Sequence, residues 1–375
     1  VRHRSDVPPW PTTGLKSGNA YSDFHAFPEM PPRHGLPRRI VLMQPAQLLL
    51  AVLAAGETCS GARLAEQTGV TRAAIWKQVE ALRARGLPVE APGTAGYRLP
   101  WPLQMLDAGR IRAALPPALA GSLGALEVHW ELDSTSSELQ RRGVDAEDAS
   151  IILAETQTAG RGRRGRQWLS PPGMNLYLSC LKRFDRGFAA LGGLSLAIGV
   201  IVLRALEQVD IRGAGLKWPN DVMARDSGAA GSPHGKLAGI LVELGGEYQG
   251  PCAAVIGIGL NLRLTPALRE QAGQPICDLA TLAAAAPPDR NLMAATLITA
   301  LVEGLRQFER DGFSAFMDDY ARHDLLHGQP LLLSGAMGTF EAVGAGVDVR
   351  GALQVRLADG SMRSIDSADV TVRRA

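Results

Sequence analysis

Seven consecutive residues, Gly160-Arg161-Gly162-Arg163-Arg164-Gly165-Arg166, hold four arginines and three glycines, and apolar runs fence them on both sides. Ile151-Ile152-Leu153-Ala154 comes before. Leu176-Tyr177-Leu178 comes after, beyond Trp168, Pro171, Pro172, Gly173 and Asn175. The pattern reads as a loop joining two strands. Glycine lets the backbone approach an anion closely, and guanidinium offers a forked donor that matches carboxylate and phosphate oxygens. Trp168 is available to cover a flat ring. The competing reading is a solvated or RNA-binding arginine-glycine tract. The run occurs once, without tandem repeats and between two strand-like segments, which favours a ligand loop.

The rest of the chain bounds that ligand. With 375 residues, 46% of them apolar, 20% charged and a net charge of +2, it is an ordinary globular protein of two or three domains. It is neither a basic nucleic-acid coat nor an acidic tail protein. Charge is local: seven Lys or Arg stand against two Asp or Glu between Glu155 and Arg186. Cys59, Cys180, Cys252 and Cys277 form no CxxC and have no paired His spacing, so a reduced cytoplasmic setting without zinc is expected. The apolar stretch Leu191–Leu203 is too short to span a bilayer, and no membrane association is expected. Arg38-Arg39, Leu48–Ala55 and Cys59 together resemble a signal peptide. Gly56-Glu57-Thr58 is a poor processing site, however, and capped helices follow.

Residues 1–42, rich in Pro, His, Arg and Gly, read as a disordered extension, and Met43 begins the first orderly segment. Residues 43–100 read as a winged helix-turn-helix. Helices are expected over Ala46–Ala55, from Ser60 to near Gly69, and from Thr71 to Gly86, with Gly93–Leu99 as the wing. Thr71, Arg72, Ala73 and Lys77 open the third helix, where such modules meet DNA, and the segment from Ser60 to Pro100 holds six basic residues against three acidic ones. Residues 101–124 are a linker with one short helix. Residues 125–326 alternate strands (Glu127–Leu132, Ile151–Glu155, Leu176–Leu181, Leu216–Trp218, Gly239–Leu244, Ala253–Leu260) with helices (Ser136–Arg142, Leu191–Gln208, Leu292–Asp311). That is an α/β domain on a mixed sheet. Residues 327–375 hold short runs at Leu331–Leu333, Gly338–Val343, Leu353–Leu357 and Ser361–Ile365, which suggest a small β-barrel. The fold class is therefore multidomain α+β.

Three segments of the α/β part carry further chemistry. Asp133-Ser134-Thr135-Ser136 sits where a strand gives way to a helix, and its hydroxyls either cap that helix or bind a neutral polar head such as a urea or amide. Lys217-Trp218-Pro219-Asn220-Asp221 ends a strand at Pro219. Asn220 and Asp221 are either an ordinary turn or ligand groups, with Asp221 a candidate for magnesium. His234–Leu244 places Lys236 in an otherwise apolar strand, where a buried charge needs a partner, and a bound carboxylate or phosphate would supply one. Ile256-Gly257-Ile258-Gly259-Leu260-Asn261 is a buried strand whose glycines leave room for something bulky.

Together, Gly160–Arg166 with Trp168, Lys217–Asp221 and Lys236–Glu243 resemble the biotin protein ligase family. The similarity is to the longer bacterial form with an N-terminal DNA-binding domain and a C-terminal SH3-like barrel, and it runs from about Gly56 onward. The resemblance implies that Ser134, Thr135, Ser136, Gln157, Gly160, Arg161 and Gly239 bind biotin. By the same resemblance, Gly162 and Arg163 would close over biotin and the activated intermediate. Lys236 would meet the biotin carboxylate and the α-phosphate region, and with Arg163 would form the catalytic pair. Arg166, Trp168, Asn220 and Asn261, together with Arg163 and Lys236, would hold ATP, and the segment Arg263–Asp278 would fold over it. Ser136 stands where many members have asparagine, and the loop Asp226–Pro233 is longer than is common.

The implied reaction joins biotin to ATP as biotinyl-5′-AMP, with Mg²⁺, and then transfers biotin to a lysine of a biotin carboxyl carrier protein. Operator DNA and a homodimer are the other implied partners. The competing readings are a ligand-sensing regulator without catalysis and a lipoate-type ligase. The survival of Arg163, Lys236 and Asp221 favours a ligase, and the tight arginine-glycine loop favours biotin.

Overall fold

The computed structural model describes residues 44–143, 146–225, 234–246, 249–335, 338–366 and 370–374. The expected extension over 1–42 and the loop Asp226–Pro233 lie outside the described residues. The chain divides into two compact units, one reaching Leu82 and including Val89–Pro102, the other holding Arg83–Pro88 and Leu103 onward.

In the first unit, α1 (Pro45–Leu53) and α2 (Gly61–Thr68) precede α3 (Arg72–Ala84). Ser60 Oγ accepts the Arg63 amide at 3.2 Å to start α2, and Gly69, at φ 71°, ends it in the left-handed region. Thr71 Oγ1 accepts the Ala74 amide at 3.2 Å and starts α3 in the same way. Leu49, Leu50, Leu53, Leu64, Ile75 and Val79 are fully buried, so one apolar stripe from each helix builds this core. In the segment expected as the wing, Arg98 bridges to Glu90 and Tyr97 to Cys59, both antiparallel.

The second unit is built on a seven-stranded sheet ordered β1-β2-β3-β7-β6-β5-β4. Its strands are β1 (Leu126–Leu132), β2 (Ile151–Gln157), β3 (Leu176–Phe184), β4 (Ala214–Lys217), β5 (Asp221–Ala224), β6 (Gly235–Gly246) and β7 (Cys252–Leu260). Only the β1–β2 pair is parallel, which makes the sheet mixed, as the sequence pattern suggests. Strand alternation sends neighbouring residues of β6 to opposite faces. Ile240 points toward Gly199 of α7 (Leu194–Gln208), which packs on α10 (Arg290–Asp311). Gly239 and Leu241 face the other way, toward α6 (Thr135–Arg142).

Several elements differ from the sequence expectation. β5 was not expected, because Pro219 reads as a full stop. The chain instead turns through Trp218-Pro219-Asn220 and comes straight back, pairing Asp221 with Lys217. α7 starts at Leu194 and not at Leu191, because Gly193 takes φ 76° after a short 3-10 turn over Phe188–Leu191. The linker holds two short helices, α4 (Ala108–Ala114) and α5 (Pro117–Ala120), instead of one. Three further helices were not foreseen: α8 (Pro266–Gln271), α9 (Leu279–Ala283) and α11 (Met317–His323).

The C-terminal strands β8 (Pro330–Gly335), β9 (Gly338–Val347), β10 (Leu353–Arg356), β11 (Met362–Ile365) and β12 (Val370–Arg374) form a small antiparallel sheet ordered β11-β10-β9-β8-β12. It belongs to the same compact unit as the large sheet. Leu331, Leu333, Leu353, Val355 and Ile365 join the core of the large sheet, and the Trp218 indole donates to Gly351 O at 3.0 Å.

A buried ion pair ties this unit together behind the pocket. The Arg290 guanidinium lies 2.8 Å from Glu155 Oε2, and the two side chains are 5% and 2% exposed. Arg290 also donates to Asn175 O at 2.8 Å, while Asn175 Oδ1 accepts the amides of Leu262 and Arg263. Glu155 thus joins β2 to the root of α10, and Asn175 carries the connection to the end of β7. Removing one partner of such a pair strands the other charge. Glu155→Ala is therefore expected to lower unfolding stability by about 3–5 kcal/mol, whereas an apolar replacement of both residues should cost far less. Thermal denaturation of the two variants checks this, and equal losses would contradict it.

Candidate active site

Register across the sheet lines up the site. Ala154, Tyr177, Gly259, Gly239 and Asp221 face one another across β2, β3, β7, β6 and β5. The next row on the same face is Ile152, Ser179, Gly257 and Leu241. Three glycines in adjacent positions leave a trough in the sheet, and two side chains are seated in it. A Cβ on Gly259 would stand 2.3 Å from the Trp168 ring, one on Gly239 2.8 Å from it, and one on Gly257 2.6 Å from Ser136 Oγ. The room read from the sequence is thus used by Trp168 and Ser136. Trp168 Nε1 is buried there with no acceptor.

Lys236 reaches this face through a bulge. Val222 pairs with Ala238, but Met223 pairs with Lys236, so Leu237 is an extra residue on β6. Leu237 turns into the core at 0% exposure, and Lys236 comes onto the face of Gly239, with its Nζ 3.1 Å from where that glycine's Cβ would be. The partner that a charge here requires is already present. Lys236 Nζ lies 2.6 Å from Asp221 Oδ1, and 5.4 Å above the centroid of the Trp168 ring. From sequence, a bound carboxylate or phosphate is expected as that partner, and the fold adds Asp221 to it.

At the other end of the trough is a buried cluster of small polar groups. Thr135 donates from its amide to Gln157 Oε1 at 2.9 Å, and its hydroxyl lies 2.7 Å from Ser179 Oγ. Ser136 Oγ is 3.0 Å from the same Ser179 oxygen, and Gln157 Nε2 donates to Ser170 Oγ at 3.1 Å. Ser134 Oγ accepts the Ser137 amide at 3.4 Å, so it caps α6 while also lining the pocket.

The arginine-glycine segment is a small ordered hairpin. Arg161 bridges to Gln167, the Gly162 amide donates to Arg166 O at 2.7 Å, and Arg164 and Gly165 turn through the left-handed region at φ 57° and 72°. Gly160 is required for closeness, since a Cβ there would meet Trp168 O at 2.7 Å and Gln157 Nε2 at 2.9 Å. Arg163 is half-buried. Its guanidinium lies 3.4 Å from Asn220 Oδ1, and burial together with the neighbouring Arg164 pulls its pKa below the usual value, with Asp221 opposing. Arg161 instead sits at the rim, bonded to Glu243 at 2.7 Å and Gln140 at 2.9 Å.

One pocket gathers Ser134, Thr135, Ser136, Gln157, Arg161, Gly162, Arg163, Trp168, Asn220, Lys236 and Gly239. Gly160 is outside this lining and lines an adjoining cleft of the loop. Arg166 is exposed on the same cleft. Asn261 lies outside the lining, with its amide donating to Lys236 O and Cys277 O at 3.2 Å each. The segment Arg263–Asp278 forms α8 and then runs beside Lys236, whose amide donates to Pro275 O at 3.0 Å. Ser179 and Ser170 went unnoticed in the sequence. Ser179 had a signal, a lone hydroxyl inside the apolar run of β3; Ser170 had none. No group of three or more His, Cys, Asp or Glu that could hold a metal occurs among the described residues, and Asp221 is engaged by Lys236. In the other unit, Thr71, Arg72, Ala73 and Lys77 are all exposed at the start of α3.

Comparison with known proteins shows the family. The model of the biotin/lipoate A/B protein ligase family matches residues 131–261, and an HTH domain matches residues 46–98. The chain is 36% identical over 327 residues to the bifunctional ligase/repressor BirA of Salmonella typhimurium, covering 87% of this chain and 97% of that one. It is 35% identical over 209 residues to a biotin–[acetyl-CoA-carboxylase] ligase of Mycobacterium tuberculosis, covering 54% and 72%. Among solved structures, the Aquifex aeolicus biotin protein ligase in complex with biotin and ATP aligns with a TM-score of 0.57 at 28% identity. That alignment covers 67% of this chain and 99% of that one.

The seating of Trp168 is directly testable. Gly259→Ala is expected to cost about 1–3 kcal/mol by overpacking and to red-shift tryptophan emission as the indole is driven out. An unchanged melting temperature and emission maximum would contradict the seating.

Proposed function

Since the chain belongs to the biotin protein ligase family, and is a biotin protein ligase carrying a helix-turn-helix repressor domain, we propose how its own residues divide the work. The biotin carboxylate attacks the α-phosphate of ATP, the bond to the β-phosphate breaks and pyrophosphate leaves; the biotin of the resulting biotinyl-5′-AMP is then passed to a lysine of a biotin carboxyl carrier protein. One observation carries this reading: a single trough holds a buried hydroxyl and amide cluster at one end and Lys236 with Arg163 at the other.

The polar cluster suits the ureido head. Thr135, Ser136, Ser179 and Gln157 can turn donors or acceptors toward a urea, whereas the dithiolane ring of lipoate offers such groups nothing to bond. Ser136, where many relatives have asparagine, still reaches the cluster through its hydroxyl. The biotin tail then runs along the trough beside Trp168, whose ring covers Gly239 and Gly259, and its carboxylate arrives at Lys236. There it must approach the α-phosphate of ATP, and the two anions repel. Lys236 and Arg163 neutralise that repulsion and stabilise the charge that spreads in the transition state. Asp221 positions the Lys236 ammonium. Magnesium would arrive with the nucleotide, and Asp221, held beside Lys236, is the carboxylate proposed to meet it.

Biotinyl-AMP hydrolyses in water, so it must be kept dry. The hairpin Arg161–Gln167 covers one side of the trough through Arg161, Gly162 and Arg163, and the segment paired to the Lys236 backbone would close over the nucleotide. The acceptor lysine's neutral amine then attacks the acyl carbon, the bond to phosphate breaks, and AMP leaves. Residues 125–326 form the ligase domain in this reading, with residues 327–375 as an SH3-like barrel at its end. Residues 43–100 bind operator DNA, a homodimer is the repressing assembly, and the four free buried cysteines fit a reduced cytoplasmic setting.

The direct test is biotin-dependent labelling of a carrier domain in the presence of ATP and Mg²⁺; failure to label would remove the proposal. Lys236→Ala is expected to lose adenylate formation, and an unchanged rate would take Lys236 out of the mechanism. Arg163→Gly is expected to loosen retention of biotinyl-AMP more than biotin binding. Each charge-assisted bond lost should cost roughly 1.5–3 kcal/mol. Equal retention by variant and wild type, in a filter-binding chase, would contradict that role.

A further inference from the structure

The solvent face of α3 carries a large apolar side chain that the core does not explain. Ile75, Val79 and Leu82 bury one face of the helix, while Trp76 is 57% exposed on the other. Helical spacing puts Trp76 on the same surface as Arg72 and Ala73, four and three residues earlier, with Lys77 beside it. All three neighbours are exposed, two are cationic, and the small Ala73 leaves the indole edge open. Trp76 stands in the second turn of the second helix of a helix-turn-helix, the part of such a motif that meets base edges.

We propose that Trp76 reads thymine in the major groove of operator DNA, its indole edge packing on the C5-methyl group while Arg72 and Lys77 meet the flanking phosphates. This rests on the reading of the N-terminal unit as a DNA-binding domain. The charge pattern selects the occupant. A ring flanked by two cations matches a surface that is apolar at one point and anionic on both sides, and a thymine between phosphates is such a surface. In the major groove the thymine methyl is the apolar group that distinguishes this base, so the contact would carry sequence information that the two cations cannot.

The test uses the full chain loaded with biotin and ATP. Preferred duplexes are selected from a random-sequence pool. Affinity is then measured for the selected duplex and for copies in which single thymines are replaced by deoxyuridine, which removes only the methyl group. Wild type is expected to lose roughly three- to tenfold at one thymine of each half-site. Trp76→Ala should bind the selected duplex about tenfold more weakly and show no difference between thymine and deoxyuridine at that position. Trp76→Phe, which keeps an apolar ring, should restore part of the discrimination, and matching melting profiles establish that each variant is folded.

The proposal is overturned if Trp76→Ala keeps the wild-type affinity and the same sensitivity to deoxyuridine. It is also overturned if the substitution alters self-association while base preference stays intact, which would place Trp76 in a protein interface. A wild-type chain that binds no duplex at all would instead overturn the DNA-binding reading beneath it.

Discussion

The ion pair between Lys236 and Asp221 is the contact on which the site depends. A cation inside a strand of the central sheet is costly unless it is answered, and Asp221 answers it at 2.6 Å from the neighbouring strand. That answer is available because β5 returns immediately after Pro219 and pairs with β6. The extra residue Leu237 in β6 then turns the lysine onto the open face. Strand order, hairpin and bulge all serve to present one ammonium group. With its charge compensated by Asp221, Lys236 is held in place independently of substrate, and substrate anions meet a group already positioned.

What surrounds the lysine is chosen for closeness. Gly239 and Gly259 sit opposite each other and let the Trp168 ring lie against the backbone, while Gly160 lets the arginine-glycine hairpin fold back against Gln157 and Ser170. The hairpin is therefore fixed to the polar end of the trough by packing and to the charged end through Arg163 and Asn220. Behind it, Glu155 and Arg290 anchor β2, whose last residue is Gln157, and Asn175 holds the exit of β7. Retention of a water-sensitive intermediate needs such a frame, because a cover can exclude solvent only if its roots do not move.

Much of this could be read from the residues. The apolar runs marked six of the seven large-sheet strands, since buried strands announce themselves by composition. Ser60, Thr71 and the glycines after the helices marked the helix-turn-helix through their capping chemistry. Arg163, Lys236, Asn220 and the Ser134–Ser136 hydroxyls come together in one pocket, in keeping with their polar character inside apolar surroundings. What could not be read depended on pairing. A bulge is a relation between two strands, so the turn of Lys236 toward Asp221 leaves no local trace. β5 was hidden because a proline in a strand-like run argues for an ending, whereas here it sits in the turn of a hairpin. Ser170 matters only because the hairpin folds back on it, and Asn261 spends its amide on backbone carbonyls that only the fold brings near.

The central claim is that this trough joins a biotin carboxylate to the α-phosphate of ATP before any acceptor protein is involved. Exchange of labelled pyrophosphate into ATP measures that step alone, without a carrier domain. The account predicts exchange that requires biotin and saturates with it. Exchange that proceeds equally without biotin, or none when biotin and ATP are both present, would contradict it.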